Sequence, residues 1–207
     1  KELGVADFKQ KNPTYDGRGV KVAVLDNGVS PHQSGFLTTS TGERKVIFHW
    51  TEGDSAKLKL NVGLPAEPCK FVKALAIAPE TKVWSARYEE ALHGMTEGVA
   101  GVDINRNGKK TDVFDVVVTV VDSVTKVCID SNADDKVDAT ECFGTFNGYG
   151  AFGWWNLSKD IVVMAEFDAE KGLLELSQGE DASDSHGEGV AAVVAGHQLA
   201  GKFDGLA

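Results

Sequence analysis

The sequence predicts an α/β domain with a parallel sheet, interrupted by a long β-rich insertion. Three observations lead there: a β-branched run over residues 20–25 that ends on Asp26, a Gly- and Ala-rich helix start over 184–196, and many short strand-like pieces with no long helical period from about Phe36 to Ser158. With 207 residues, 42% of them hydrophobic and 25% charged, the chain can bury a real core and make one domain or one and a half.

The turn Asn12-Pro13-Thr14-Tyr15-Asp16-Gly17-Arg18-Gly19 comes first. Val20-Lys21-Val22-Ala23-Val24-Leu25 then reads as a buried strand, with Asp26 at its carboxyl end and Asn27-Gly28 after it. In open parallel sheets functional residues sit at that end, where the strand holds them rigidly at the crevice. Inside the insertion, residues 113–121 and 124–129 suit a hairpin turning at Asp122-Ser123. A second hairpin is expected from 161–167 and 173–176, turning through Asp168-Ala169-Glu170-Lys171-Gly172. Phe152, Trp154 and Trp155 read as insertion core rather than a substrate subsite. Near the end, Asp184 or Ser185 can cap a helix on which Val190, Val193 and Val194 form a narrow apolar stripe. His186 falls in its first turn, exposed at the mouth of a site, and the surrounding Ala and Gly suggest close packing against a neighbouring backbone.

Charge excludes some partners. Against 21 basic residues stand 31 acidic ones, a net of -10, which argues against nucleic acid or an anionic membrane surface. No apolar run approaches the roughly 18 residues that span a bilayer. The opening Lys1-Glu2-Leu3-Gly4 has no apolar signal segment, so the chain is expected to be processed or never exported. Cys128 and Cys142 bracket a polar loop and could pair across it, leaving Cys69 over; three reduced thiols are the other reading. His32, His49, His93 and His197 have no partner pattern and read as surface or structural.

Acyl transfer by a serine needs a base within hydrogen-bond reach of the hydroxyl, and a carboxylate that fixes the base's tautomer and stabilises the imidazolium. Asp26 at a strand end and His186 at a helix start suit those last two roles. Taken singly, an Asp after a strand also serves as a turn former and a lone His as a structural residue.

The flanking residues add to this. Gly17-Arg18-Gly19-Val20-Lys21-Val22-Ala23-Val24-Leu25-Asp26-Asn27-Gly28-Val29 resembles the aspartate motif of the subtilisin-like serine proteases, G-x-G-V-x-V-A-V-x-D-[ST]-G-V. His186-Gly187-Glu188-Gly189-Val190-Ala191-Ala192-Val193-Val194-Ala195-Gly196 resembles their histidine motif, H-G-T-H-V-A-G-I-I-A-G. The 160 positions between Asp26 and His186 point to the large-insert members, the tripeptidyl-peptidase II and pyrolysin type. The stretches 114–118, 127–132 and 150–153 are similar to the former. There are departures: Asn27 stands for Ser or Thr, and Glu188-Gly189 for Thr-His, so that a carboxylate two residues from His186 could raise its pKa.

The resemblance implies a subtilisin-like three-layer α/β fold, incomplete here, with residues 1–36 and 159–207 in the catalytic domain and 37–158 as the β-rich insertion. It implies a serine peptidase acting on polypeptides, with Asp26 and His186 catalytic. Neither a G-T-S-x-[AS] serine motif nor an oxyanion asparagine occurs in these residues. The serine and the asparagine are therefore expected on a second chain or a continuation, and these residues alone are expected to be inactive. An endopeptidase, secreted after processing, is the first expectation. An intracellular exopeptidase of the tripeptidyl-peptidase II type is the alternative, and an inactive binding module a third.

One further pattern concerns cations. Residues 130–141 follow the spacing of an EF-hand calcium loop, with Asp130, Asn132, Asp134, the carbonyl of Lys136, Asp138 and Glu141 as oxygen ligands and Val137 as the apolar residue at position 8. Asp135 stands where a Gly is usual. A structural Ca²⁺ is expected there, against a solvated acidic turn. Asp103-Ile104-Asn105-Arg106-Asn107-Gly108, with Asp112, is a weaker second candidate.

Overall fold

A computed structural model describes residues 4–51, 55–63, 81–95, 99–134, 136–137, 139–156, 158–159, 161–179, 186–197 and 205. The chain forms two compact units, one of residues 1–46 and 180–207, the other of residues 47–179. Residues 159–179 thus pack with the second unit, whereas the motif resemblance groups them with the first.

The described residues of the second unit form nine strands: β1 (Ser55–Lys59), β2 (Asn61–Val62), β3 (Lys82–Glu89), β4 (Val113–Val121), β5 (Val124–Ile129), β6 (Cys142–Gly144), β7 (Gly153–Trp154), β8 (Val162–Asp168) and β9 (Leu173–Gln178). They make two sheets, in the orders β1-β9-β8-β7 and β2-β3-β4-β5-β6. Both hairpins expected from the sequence are present. Val121 pairs with Val124 across Asp122 and Ser123, whose φ values of 49° and 65° give the left-handed pair that matches the twist of the flanking strands. Strands β8 and β9 pair from Val163↔Gln178 to Asp168↔Leu173, and Gly172 at φ 58° takes the left-handed position of that turn.

One buried cluster draws on both sheets: Phe114, Val116 and Val118 of β4 and Tyr88 of β3 lie in it with Trp155, Leu174 and Leu176. Strand alternation sends Val117 to the opposite face, where it is buried with Val83, Cys128 and Val137. β4 is therefore covered on both faces, which is why its sequence is almost continuously apolar rather than alternating. Cys128 and Cys142, paired in register on β5 and β6, form a disulfide that closes the base of the loop between them. Trp155 is core, as expected, while Phe152 and Trp154 stack edge to face and are half-buried.

The first unit contains helices α1 (Val5–Lys11), α2 (Ser34–Leu37) and α4 (His186–Ala195); a one-turn α3 (Phe146–Tyr149) belongs to the second unit. Two expectations are corrected here. Residues 20–25 form no strand, and Val20, Val22 and Leu25 are 65%, 48% and 91% exposed. A strand exists only when its backbone groups find a neighbour to bond, and among the described residues none pairs with this run. Likewise every strand pair described is antiparallel, so the expected parallel sheet is not found among the described residues. The valine stripe on α4 is covered only in part: Val190 and Val194 are half-buried, Val193 is 61% exposed, and the buried residues of the helix are Gly187 and Ala191, one turn apart. The expected cap residues Asp184 and Ser185 lie outside the described residues. No described helix is long and apolar enough to cross a membrane.

Candidate active site

His186 opens α4, so its ring is carried by a helix terminus, and Asp26 sits on the segment that the helix start approaches. The two meet across 160 residues of sequence: His186 Nδ1 lies 2.7 Å from Asp26 Oδ1. The carboxylate side chain is mostly covered at 15% exposure, whereas the imidazole is 72% exposed. The His186 hydrogen bond, first, and the Asn27 backbone N–H on the same Oδ1 at 2.9 Å together hold the Asp26 carboxyl below its ordinary pKa. An ionised carboxylate only accepts, so the proton between the two groups belongs to Nδ1. Nε2 of the neutral ring is then left with its lone pair, the arrangement a general base requires.

The helix comes this close because Gly187 has no side chain. A Cβ there would lie 2.1 Å from the Gly28 carbonyl oxygen, 2.9 Å from Asn27 Oδ1 and 3.0 Å from the Gly28 nitrogen. Gly28 itself has φ 122°, a conformation that L side chains rarely adopt. Asn27 Oδ1 accepts the Gly187 N–H at 2.9 Å. Glu188 reaches back the other way, and its Oε1 accepts the buried Ser30 N–H at 3.3 Å. The sequence marks Asn27 and Glu188 only as departures from a motif; their cross-links to the facing segment required the tertiary structure.

In the second unit, the acidic loop folds on itself. Asp130 Oδ1 and Asn132 Oδ1 both accept the Asp134 N–H, at 3.1 and 2.9 Å. Asp134 Oδ1 accepts the Lys136 N–H, and Glu141 Oε1 accepts the N–H and the hydroxyl of Ser131. Val137 is fully buried and fastens the loop to the outer face of β4. Asp135 and Asp138 lie outside the described residues. Among the described residues, no group of three or more His, Cys, Asp or Glu is arranged to hold a metal ion.

At the second candidate loop, Asp103 accepts the N–H groups of Asn107 and Gly108, and the amides of Asn105 and Asn107 donate to Asp112 Oδ2. The Glu90 carboxylate, fully buried, takes the N–H groups of Ile104 and Asp112, and burial raises its pKa. His49, against Phe146, and His93, bonded to the Glu89 backbone, are structural.

No protein-family model matches the chain. It is similar to tripeptidyl-peptidase 2 of Oryza sativa subsp. japonica, 47% identical over 47 residues, which are 23% of this chain and 4% of that protein. The protein of that name from Caenorhabditis elegans is 51% identical over 40 residues, 19% of this chain and 3% of its own length. That of Drosophila melanogaster is 49% identical over 47 residues, covering 22% and 3%. These matches span less than a twentieth of the relatives' lengths. The crystal structure of tripeptidyl peptidase 2 (TPP II) superposes on 99% of this chain and 20% of its own, with a TM-score of 0.67 and 19% identity. That likeness shows a shared fold. The chain thus resembles the large-insert subtilisin-like proteases of the tripeptidyl-peptidase II type, as its two motifs imply.

Proposed function

We propose that the chain is the aspartate- and histidine-bearing part of a subtilisin-like serine peptidase that releases tripeptides from polypeptide N-termini. The observation that carries this reading is the 2.7 Å bond from a solvent-open imidazole to a covered, ionised Asp26. With Nδ1–H fixed on Asp26, Nε2 of His186 takes the proton of a serine hydroxyl as it attacks the scissile carbonyl, then returns it to the departing amine. Asp26 stays ionised throughout and stabilises the imidazolium. The serine and its oxyanion donors lie outside these 207 residues. The choice of exopeptidase over endopeptidase is supported by the names of the similar proteins, and the intracellular placement implied by that type goes with it.

The domain division that fits this reading puts residues 1–46 and 180–207 in the catalytic domain and 47–179 in the insertion. A structural Ca²⁺ in the 130–141 loop belongs to the same reading, supported by the calcium-loop spacing of Asp130, Asn132, Asp134, Asp138 and Glu141 in the sequence.

The test is cleavage by the complete enzyme of a peptide with a free N-terminus and of its N-acetylated form. Tripeptide release from the free peptide only, lost by about 10⁴-fold in His186→Ala, is expected. Internal cleavage of the acetylated peptide would replace the exopeptidase with an endopeptidase, and unchanged turnover in His186→Ala would remove the triad. The Cys128–Cys142 disulfide favours a second reading, an exported endopeptidase, because such bonds persist in oxidising compartments. Alkylation of the native protein before reduction decides it: two protected thiols favour export, and three free ones an intracellular enzyme.

A further inference from the structure

We propose that Asn27 and Glu188 are positioning residues that cross-link the Asp26 turn to the first turn of α4 and thereby hold the His186 ring in register with its carboxylate; this rests on the peptidase reading above. The side chain of His186 is 72% exposed, so packing does little to orient it. Its ring takes its place from the helix start that carries it, and the bond to Asp26 holds only while that helix start stays in position.

A helix start is a weak support by itself, because its first N–H groups have no partner within the helix. Gly187 N–H is one of these, and Asn27 Oδ1 takes it at 2.9 Å. The backbone N–H of the same Asn27 donates to Asp26 Oδ1 at 2.9 Å, the oxygen that receives His186 Nδ1 at 2.7 Å. One residue therefore grips the carboxylate through its main chain and the helix through its side chain.

Glu188 supplies the opposite link, from the helix to the Ser30 N–H at 3.3 Å. Ser30 is 2% exposed, so an unbonded N–H at that point would be costly. One bond is donated by the helix and the other by the facing segment, and two separate bonds resist rotation of the helix start where a single bond would act as a hinge. Both residues depart from the subtilisin-like motifs quoted above. A Thr hydroxyl at 188 sits one bond beyond Cβ and lacks the reach of Glu Oε1, three bonds beyond it. The departures at 27 and 188 therefore act as one device.

The experiment uses the complete enzyme with Asn27→Leu, Glu188→Leu and Glu188→Gln, reading kcat, KM, melting midpoint and the proton resonance of the His186 Nδ1–H. Each leucine variant is expected to lower kcat by about 10- to 100-fold with KM within about twofold, and to lose or broaden that resonance by exchange. Glu188→Gln keeps an acceptor oxygen and is expected to restore both readouts. Leucine variants that turn over within about threefold of wild type and keep the resonance would overturn the proposal. A Glu188→Gln variant as impaired as Glu188→Leu would overturn the link at Ser30. If a leucine variant does not fold, Asn27→Ser and Glu188→Ala read the same bonds. A wild-type enzyme that neither cleaves peptide nor takes a serine-directed phosphonate would sink the peptidase reading alone, since the resonance still decides the positioning roles.

Discussion

Substituting Gly187 by alanine tests the site through one added carbon. That Cβ would stand 2.1 Å from the Gly28 carbonyl oxygen, and ordinary contact begins at 3.4 Å, so the gap must open by about 1.3 Å. The nearest atom in the way is the backbone carbonyl oxygen of Gly28, which cannot swing aside as the end of a side chain can. The start of α4 must therefore retreat and take His186 with it. An equal displacement would stretch the 2.7 Å bond to Asp26 to about 4 Å, beyond hydrogen-bond range. Misplacement of a catalytic group by about 1 Å costs on the order of 100-fold in rate.

The expected result is a kcat lowered by about 100-fold or more with KM little changed. Gly189→Ala is the matched control: nothing lies within 4 Å of its Cβ, so it should keep kcat and stabilise the helix by about 1 kcal/mol. Both are measured on the complete enzyme by steady-state cleavage and thermal melting. A Gly187→Ala enzyme within threefold of wild type would refute the argument that the Gly28 contact sets the position of His186.

Asp26→Asn should cut turnover by about 10⁴-fold, because an amide cannot hold the imidazole in the required tautomer; normal turnover would show that another group orients His186. The lowered pKa of Asp26, caused chiefly by His186, has a definite sign: its contribution to stability is present above the ordinary carboxyl value of 3.8 and is lost as pH falls through the lowered value. The melting-point gap between wild type and Asp26→Asn should therefore close as pH drops below about 4, and a gap that widens there would contradict the assignment. Val137→Ala, at a fully buried contact with β4, should lower the urea-unfolding stability of the second unit by about 2 kcal/mol, and a change under 0.5 would show that the loop is not fastened there. Calcium at a hundredfold excess over Kd should add roughly 2.7 kcal/mol to the stability of wild type and little to Asp134→Ala plus Glu141→Ala, whereas identical melting with calcium and with chelator would exclude a stabilising site.

Local chemistry decided what the sequence alone could establish. Asp122-Ser123 between two β-branched runs marks a hairpin, because a short polar pair suits a two-residue turn and Asp tolerates the left-handed backbone that both residues adopt there. The 168–172 turn ending in Gly172 does the same for β8 and β9. Asp26 and His186 were singled out by the resemblance of their flanking residues to two motifs, and the fold brings their side chains within 2.7 Å of each other. Other features depended on what each segment meets in space. The run 20–25 has the composition of a strand but no strand without a bonded neighbour, and Val193 has the composition of core yet faces solvent while Gly187 and Ala191 turn inward. The apolar run of β4 became intelligible only once Val137, from a mostly polar loop, was found covering its second face. Glu188 likewise lies two residues from His186 in sequence, yet its carboxylate bonds to Ser30, because a helix turns successive side chains about 100° apart and sends neighbours in sequence to different partners in space.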